Sequence, residues 1–175
     1  MKTLYRFWLI SALCIVGTAF GIAKGQELAI GNRAPAFVYR ELNGKVVRPG
    51  DLRGHPYMLW LVASWCSSCE AGSSVVASHI DMLKQHGVNV VELRLANDLG
   101  AQGPGLQAFQ RAIGLKARST NWYWGEASVQ QTLALDPHGY PDIYYLVGAN
   151  GGIVAIAGNP AASWNRIEAF AVAPR

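Results

Sequence analysis

The order of apolar and polar residues near the middle of the chain predicts its central elements. Tyr57 to Ala63 is a nearly all-apolar run, as expected for a central strand covered on both faces. Apolar residues then recur at helical spacing from Glu70 to His86, and Gly87 is placed to end the helix. A second apolar run extends from Val88 to Leu95. Strand, helix and strand in this order predict a parallel βαβ crossover, and therefore an α/β fold.

Two Asn-Gly pairs predict β-hairpins on either side of this unit, because Asn-Gly is a preferred sequence for tight hairpin turns. Asn43-Gly44 separates the extended segments 37–40 and 45–48, and Asn150-Gly151 separates 142–147 and 152–157. The aromatic segment 121–124 is a short strand or a loop, and the Gly-rich segment 98–105 is a plain connection or a mobile recognition loop. Apolar spacing predicts the remaining helices over 106–113, 127–135 and 160–172.

The first 24 residues form a separate N-terminal segment. Lys2 and Arg6 precede a run of 17 uncharged residues, Phe7 to Ala23. This run is long for the apolar region of a cleaved signal peptide and short for a membrane anchor, so both interpretations stay open. In either case the positive charges keep the N-terminus on the cytoplasmic side of the membrane. The domain over residues 25–175 is then expected on the exported side, periplasmic or extracytoplasmic, and attached to the membrane if the segment is not cleaved.

Composition and charge exclude other classes of protein. A chain of 175 residues with 51% apolar residues is long enough for one well-packed domain. The net charge of +4 comes largely from the N-terminal segment, because residues 25–175 contain twelve basic and eleven acidic side chains. No block of Lys and Arg indicates a nucleic-acid interface, so no nucleic-acid partner is predicted.

The candidate chemistry lies in two cysteines, Cys66 and Cys69, between the predicted strand and the predicted helix. Cys-x-x-Cys in this context indicates a redox dithiol, and a zinc site would need a second Cys or His pair. A helix N-terminus presents unpaired N–H groups that stabilise a thiolate. We therefore predict that Cys66 is the attacking nucleophile and that Cys69, one turn further along, is the resolving thiol. The third cysteine, Cys14, lies in the N-terminal segment.

Several segments together resemble the TlpA/ResA-type thiol-disulfide oxidoreductases of the thioredoxin-like superfamily. They are residues 30–37, 42–45, 51–56 and 65–69, in the order and spacing of that family. The resemblance implies a thioredoxin-like fold, with a central mixed sheet flanked by helices and an N-terminal β-hairpin extension. It also implies exchange of disulfides with partner proteins and with an upstream redox partner. Reduction of cysteines of exported proteins, such as apocytochromes c, is one such role, and no organic cofactor is implied.

The resemblance extends to a substrate groove beside the dithiol. Gly139-Tyr140-Pro141-Asp142 resembles the cis-proline loop of the family. It implies that the peptide bond before Pro141 is cis, that Pro141 and Tyr140 shape the groove, and that Trp65 shields one side of the sulfurs.

The chain departs from the family at the positions that carry a proton acceptor. Thioredoxins have a buried acid six residues before the first Cys, where this chain has Trp60. ResA-like proteins have a Glu three residues after the second Cys, where this chain has Gly72. The sequence therefore does not identify the group that takes the proton of Cys69.

Three other functions remain as alternatives. Cys66 and Cys69 with His138 would make a soft copper site, as in copper chaperones of thioredoxin-like fold. A peroxidase of a related fold would want Thr or Ser three residues before its Cys, where this chain has Ala63. A redox-inert docking domain of the same fold is the third alternative.

Overall fold

The computed structural model describes residues 28–35, 37–42 and 44–174. The predicted N-terminal segment and the turn residue Asn43 lie outside the described residues. The centre of the described part is a five-stranded mixed sheet with helices packed on both faces, preceded by a two-stranded hairpin. The predicted α/β fold with an N-terminal hairpin is confirmed.

Five strands form the central sheet in the order β5-β4-β3-β6-β7. The strand β3 pairs in parallel with β4, and β4 pairs in parallel with β5. The antiparallel strand β6 pairs with β3 on one side and with β7 on the other. The strands are β1 (Tyr39–Arg40) and β2 (Val46–Val47) in the hairpin, and β3 (Tyr57–Val62), β4 (Asn89–Arg94), β5 (Trp122–Glu126), β6 (Ile143–Val147) and β7 (Ile153–Gly158) in the sheet.

The helices connect and cover these strands. They are α1 (Ser67–Gln85), α2 (Leu106–Ile113), α3 (Val129–Leu135) and α4 (Pro160–Val172), with short 3₁₀ turns at 49–52, 96–100 and 115–118. The first helix begins three residues earlier than predicted, because the Cys66 side chain caps it. In the part of the chain that the structure describes, no helix has both the length and the apolar character needed to cross a membrane.

The central strand β3 divides the core into two layers. All six of its residues are buried, as predicted for a strand covered on both faces. Trp60 and its neighbours two residues away face α1 and α4, whereas Leu59 and Leu61 face the N-terminal hairpin and α3. The sheet thereby holds the start of α1, and with it the dithiol, at the carboxyl end of its central strand.

The aromatic segment belongs to the edge strand β5. Trp122 and Trp124 are buried and stack with their ring centroids 4.9 Å apart. The hairpin covers this edge, because the Tyr39 ring lies so close to Gly125 that a Cβ there would be 2.1 Å from Cδ2 of Tyr39. This strand therefore joins the core, and the hairpin packs against it.

Candidate active site

Cys66 lies at the junction between β3 and α1 and is the N-cap residue of the helix. Its backbone is extended, and its Sγ accepts a hydrogen bond from the N–H of Cys69 at 3.2 Å. Oxygen side chains usually fill this position, because they satisfy an N–H that has no partner inside the helix. A Cys66 thiolate would gain from this contact and from the positive end of the helix dipole.

The two cysteines form a disulfide whose Cα atoms are 5.2 Å apart. Cys66 retains 7% of its accessible surface, whereas Cys69 retains none. The Ser68 hydroxyl lies 3.3 Å from the Sγ of Cys66 and can donate a hydrogen bond to it. Of the two cysteines, Cys66 is thus the one with some exposed surface, and its role as the nucleophile stays a prediction.

A carboxylate from a different part of the chain joins the two sulfurs. One oxygen of Asp142 and the Sγ atoms of Cys66 and Cys69 all lie within 4.8 Å of one another. Asp142 is 6% exposed, and its Oδ1 accepts a hydrogen bond from the indole N–H of Trp60 at 3.1 Å. Its Oδ2 is buried and has no hydrogen-bond partner of normal geometry among the described residues. The sulfurs therefore have an acidic neighbour.

Burial raises the pKa of Asp142 above its usual value, and the nearby Ser68 hydroxyl and Trp60 indole oppose this rise. Desolvation disfavours the charged form of a carboxyl, whereas donors favour it. Asp142 thus binds a proton more tightly than an ordinary aspartate does, and the two donors still favour its charged form. Carboxyls in such surroundings are candidates for acid–base function.

A second buried acid, Glu92 on β4, is fully satisfied by hydrogen bonds. The Ser73 hydroxyl donates to Oε1 at 3.1 Å, and the Trp122 indole donates to Oε2 at 3.0 Å. Its side chain has no exposed surface, and burial raises its pKa well above the usual value. Glu92 is not part of the cluster formed by the sulfurs and Asp142.

The peptide bond between Tyr140 and Pro141 is trans, as is every other peptide bond among the described residues. The predicted cis bond is therefore wrong. A trans bond is preferred even before proline, and here the chain turns into β6 through the next residue, Asp142, whose φ is +78°. Asp tolerates such a left-handed conformation better than most residues.

Pro141 and Tyr140 line an open groove, and its role in binding substrate stays a prediction. The groove has a volume of 420 Å³ and is also lined by Ser68, Asp142 and the strand β7. The Tyr140 side chain is 67% exposed, and its backbone N–H donates to Oδ1 of the buried Asp136 at 3.0 Å. An exposed aromatic side chain is thus presented next to the dithiol by a backbone that Asp136 holds in place.

Trp65 is held on the other side of the dithiol by the segment 96–100. Its indole N–H donates to the backbone carbonyl of Asp98 at 2.7 Å, and its ring is 44% exposed. The Asp98 carboxylate accepts from the N–H of Ser64 at 2.7 Å and from its hydroxyl at 2.8 Å. The segment 98–105 is therefore anchored to the loop that carries the dithiol, and the shielding of the sulfurs by Trp65 stays a prediction.

His138 is exposed and stacks on the ring of Tyr140, with centroids 6.0 Å apart. In the described part of the chain, the group of possible metal-binding side chains at the sulfurs contains Asp142 and not His138. The three-ligand copper site considered from the sequence is thus not assembled in this structure.

Sequence reasoning did not assign a role to Asp142 or Asp98. Asp142 follows the proline of the predicted groove directly, which was the one available signal. Asp98 had no signal, because its position beside Ser64 results from three consecutive left-handed residues, 97–99, in a segment without a repeating pattern.

The same dithiol motif and fold occur in known proteins. ResA, a thiol-disulfide oxidoreductase of Bacillus cereus, is 28% identical over 97 residues, which is 53% of this chain and 56% of that protein. ResA of Geobacillus thermodenitrificans is 27% identical over 115 residues, which is 66% of this chain and 64% of that protein. The chain therefore spans between half and two thirds of the length of these curated relatives.

Solved structures show the same architecture. A putative thiol:disulfide interchange protein DsbE from Chlorobium tepidum aligns with a TM-score of 0.65 and 23% identity, over 82% of this chain and 95% of that one. The thioredoxin domain of a thiol-disulfide oxidoreductase from Bacteroides vulgatus aligns with a TM-score of 0.64 and 20% identity, over 82% and 99%. At these identities the comparison establishes a thioredoxin-like fold.

The model of the AhpC/TSA family matches residues 30–139, which is more than half of the chain. The matched region contains the hairpin, the dithiol and the strands β3 to β5. The chain thus belongs to the AhpC/TSA family, and the resemblance to ResA-type proteins of thioredoxin-like fold that its motifs predicted is confirmed.

Proposed function

We propose that this protein is an exported thiol-disulfide oxidoreductase that exchanges disulfides with other proteins through Cys66 and Cys69. The observation that carries the proposal is the placement of this disulfide at the start of α1, with the Sγ of Cys66 as the helix cap. The open groove lined by Tyr140 and Pro141 lies beside it. The name and activity of the ResA relatives support the same class of reaction.

In the reducing direction, the Cys66 thiolate attacks one sulfur of a disulfide in a partner protein. A Cys66–partner bond forms, and the other partner sulfur leaves as a thiolate that takes up a proton. The Cys69 thiolate then attacks Cys66, the Cys66–Cys69 bond forms, and the second partner sulfur leaves and is protonated. Two electrons and two protons pass from the dithiol to the partner, and the reverse sequence oxidises a partner dithiol.

Proteins are the partners in this proposal, and the open groove can admit a segment of a partner chain. Tyr140 presents exposed aromatic surface in the groove and Trp65 presents it beside the dithiol, and aromatic side chains are enriched in protein-binding surfaces. Repeated reduction requires an upstream redox partner that reduces the Cys66–Cys69 disulfide again. Cysteines of exported proteins, such as apocytochromes c, are substrates of the right chemical class.

The export signal in this proposal is the N-terminal apolar segment, Phe7 to Ala23, after Lys2 and Arg6. A fusion of the full chain to a reporter enzyme that needs disulfides for activity tests this part. The reporter should be active, because its disulfides form only in the exported, oxidising compartment. Activity that persists after deletion of residues 1–24 would contradict export by this segment.

An insulin-reduction assay with the full chain tests the catalytic part. Cys66→Ser should abolish turnover, whereas Cys69→Ser should accumulate a stable mixed disulfide with insulin, because the resolving thiol is missing. Ser67→Ala, at an exposed position between the cysteines, is the matched control and should remain active. Turnover by Cys66→Ser would overturn the proposal, and a wild-type disulfide that no thiol reductant opens would favour a redox-inert docking domain.

A further inference from the structure

The resolving step needs an acceptor for the proton of Cys69, and neither position at which related proteins carry an acid has one here. Trp60 and Gly72 occupy those positions, and Cys69 is completely buried. A buried thiol does not ionise readily without a base beside it. We propose that Asp142 is this base, a catalytic residue supplied by the loop before β6. The inference rests on the proposed function, which supplies the reaction.

The geometry places the carboxylate at the reacting atoms. An oxygen of Asp142 and both Sγ atoms lie within 4.8 Å of one another while the sulfurs are joined in the disulfide. Reduction breaks the S–S bond, and the sulfur of Cys69 then needs only a small displacement to reach hydrogen-bond distance of the carboxylate. Contacts of catalytic groups are often long before the reacting state forms.

One oxygen of the carboxylate is held and the other is available. The indole N–H of Trp60 donates to Oδ1 at 3.1 Å, which fixes the orientation of the group. The buried Oδ2 has no hydrogen-bond partner of normal geometry among the described residues, and the nearby Ser68 hydroxyl is the second donor that lowers the pKa of the carboxyl. An unsatisfied buried acceptor is costly, and a hydrogen bond donated by the Cys69 thiol would remove that cost. Trp60 thus acts as a positioning residue for Asp142, which lies in the loop before β6.

The other ionisable groups around Asp142 are already engaged. Glu92 from β4 and Tyr144 from β6 interact with it electrostatically. The carboxyl of Glu92 accepts from Ser73 and Trp122, and the Tyr144 hydroxyl lies 2.7 Å from that of Ser163. Among the described His, Asp and Glu side chains, Asp142 is the one that groups with the sulfurs.

The step conserves atoms and charge. After Cys66 has formed the mixed disulfide, the Cys69 S–H bond breaks and its proton passes to Oδ2 of Asp142, which becomes a neutral carboxylic acid. The Cys69 thiolate attacks the Sγ of Cys66, the Cys66–Cys69 bond forms, and the partner sulfur leaves with the electron pair. The neutral Asp142 then returns its proton to the departing thiolate or to water.

Asp142→Asn in the full chain tests the inference, because Asn keeps the shape and tolerates the left-handed backbone at this position. Mixing the reduced variant with a peptide disulfide and quenching at intervals separates formation of the mixed disulfide from its resolution. Formation should continue, whereas resolution should be about 100-fold slower at neutral pH, as for removal of a general base. Its rate should also lose the rise with pH that the ionising carboxyl produces in the wild type.

Glu92→Gln is the matched control, because it removes the ionisable carboxyl of another buried acid without touching the sulfur cluster. It should resolve the mixed disulfide at the wild-type rate. The inference would be overturned if Asp142→Asn resolved the mixed disulfide at the wild-type rate, or if Glu92→Gln were the one variant that resolved it slowly. Absence of any mixed disulfide in the wild type would instead overturn the proposed function.

A measurement on the unaltered protein covers the case in which Asp142→Asn does not fold. NMR of the wild type with isotope-labelled aspartate reports the ionisation of each aspartate carboxyl. The Asp142 signal should titrate above the ordinary aspartate range and shift its midpoint when the disulfide is reduced, because the carboxyl and the thiols then titrate together. A midpoint that is the same in both redox states would overturn the inference.

Discussion

Gly72 lies directly against the indole of Trp60: a Cβ at position 72 would stand 2.8 Å from Cζ2 and 2.9 Å from Cη2 of that ring. Pro160, the first residue of α4, closes the same space at 3.0 Å. Trp60 and Gly72, the two positions at which the chain departs from related proteins, are therefore in contact with each other. The Trp60 ring on β3 leaves no room for a side chain at Gly72 on α1. Because neither position carries an acid, Asp142 is the acid beside the sulfurs.

Gly72→Ala should destabilise the oxidised protein by about 1–3 kcal/mol, because the added methyl overpacks a core that lacks room for it. This cost exceeds the gain in helix propensity from removing a glycine, about 1 kcal/mol. Urea unfolding followed by circular dichroism measures the change. Ser74→Ala, on the exposed side of the same helix, is the control and should change stability by less than about 0.5 kcal/mol. Unchanged stability in Gly72→Ala would show that the indole can move away.

Trp60→Phe removes the indole N–H that donates to Asp142 and should raise the pKa of that carboxyl further. The midpoint of the pH profile for resolution of the mixed disulfide should therefore move to higher pH. Stability should fall by about 1–3 kcal/mol, because a buried acceptor loses its partner. Trp122→Phe removes the corresponding donor of Glu92 and should lower stability without moving that midpoint. An equal shift of this midpoint in Trp60→Phe and Trp122→Phe would contradict the specific role of Trp60.

Asp98→Ala should destabilise the protein by about 2–4 kcal/mol, because it leaves the N–H and the hydroxyl of Ser64 without their acceptor and removes a partner of Arg94. The fluorescence of Trp65 should change as well, since the segment that holds its indole loses its anchor. Equilibrium unfolding and emission spectra measure the two effects.

Asp81→Ala is the control for this variant, because its carboxylate forms an exposed ion pair with Lys116. Exposed pairs contribute less than about 1 kcal/mol. Equal losses in Asp98→Ala and Asp81→Ala would mean that the buried network around Ser64 does not anchor the segment 96–100.

Glu92→Gln should make the protein more stable at neutral pH and should flatten the dependence of stability on pH. Burial raises the pKa of Glu92 in the folded state above the ordinary 4.5, so the folded state holds a proton that the unfolded state has already lost. The stability of the wild type therefore falls as pH rises from 4.5 through the raised pKa. Each unit of that rise in pKa costs about 1.4 kcal/mol once the group ionises.

Urea titrations of wild type and Glu92→Gln across this pH range measure the difference. Gln retains an acceptor for the Trp122 indole and a donor for Ser73, so the hydrogen bonds can persist in the variant. The two proteins should have similar stability at acid pH and diverge as pH rises. Parallel curves would show that Glu92 ionises in the folded state as easily as in the unfolded state.

The sequence alone determined the local elements and the dithiol. The alternation of apolar runs and helical spacing from Tyr57 to Leu95 predicts the βαβ unit, because such patterns depend on residues that are neighbours along the chain. The position of Cys66 at the start of a helix follows from the same pattern, and the helices 106–113 and 160–172 have the predicted bounds. These features need no knowledge of distant contacts.

Only the tertiary structure decided which groups surround the sulfurs. The Trp60 indole meets Asp142 across 82 positions of sequence, and Ser64 meets Asp98 across 34. Both contacts depend on left-handed backbone, at residues 97–99 and at 142, that turns a carboxylate inward. The trans bond before Pro141 was likewise not predictable from the pattern of the chain. Periodicity carries no information about such turns, because one φ angle redirects a side chain without changing the pattern of apolar residues.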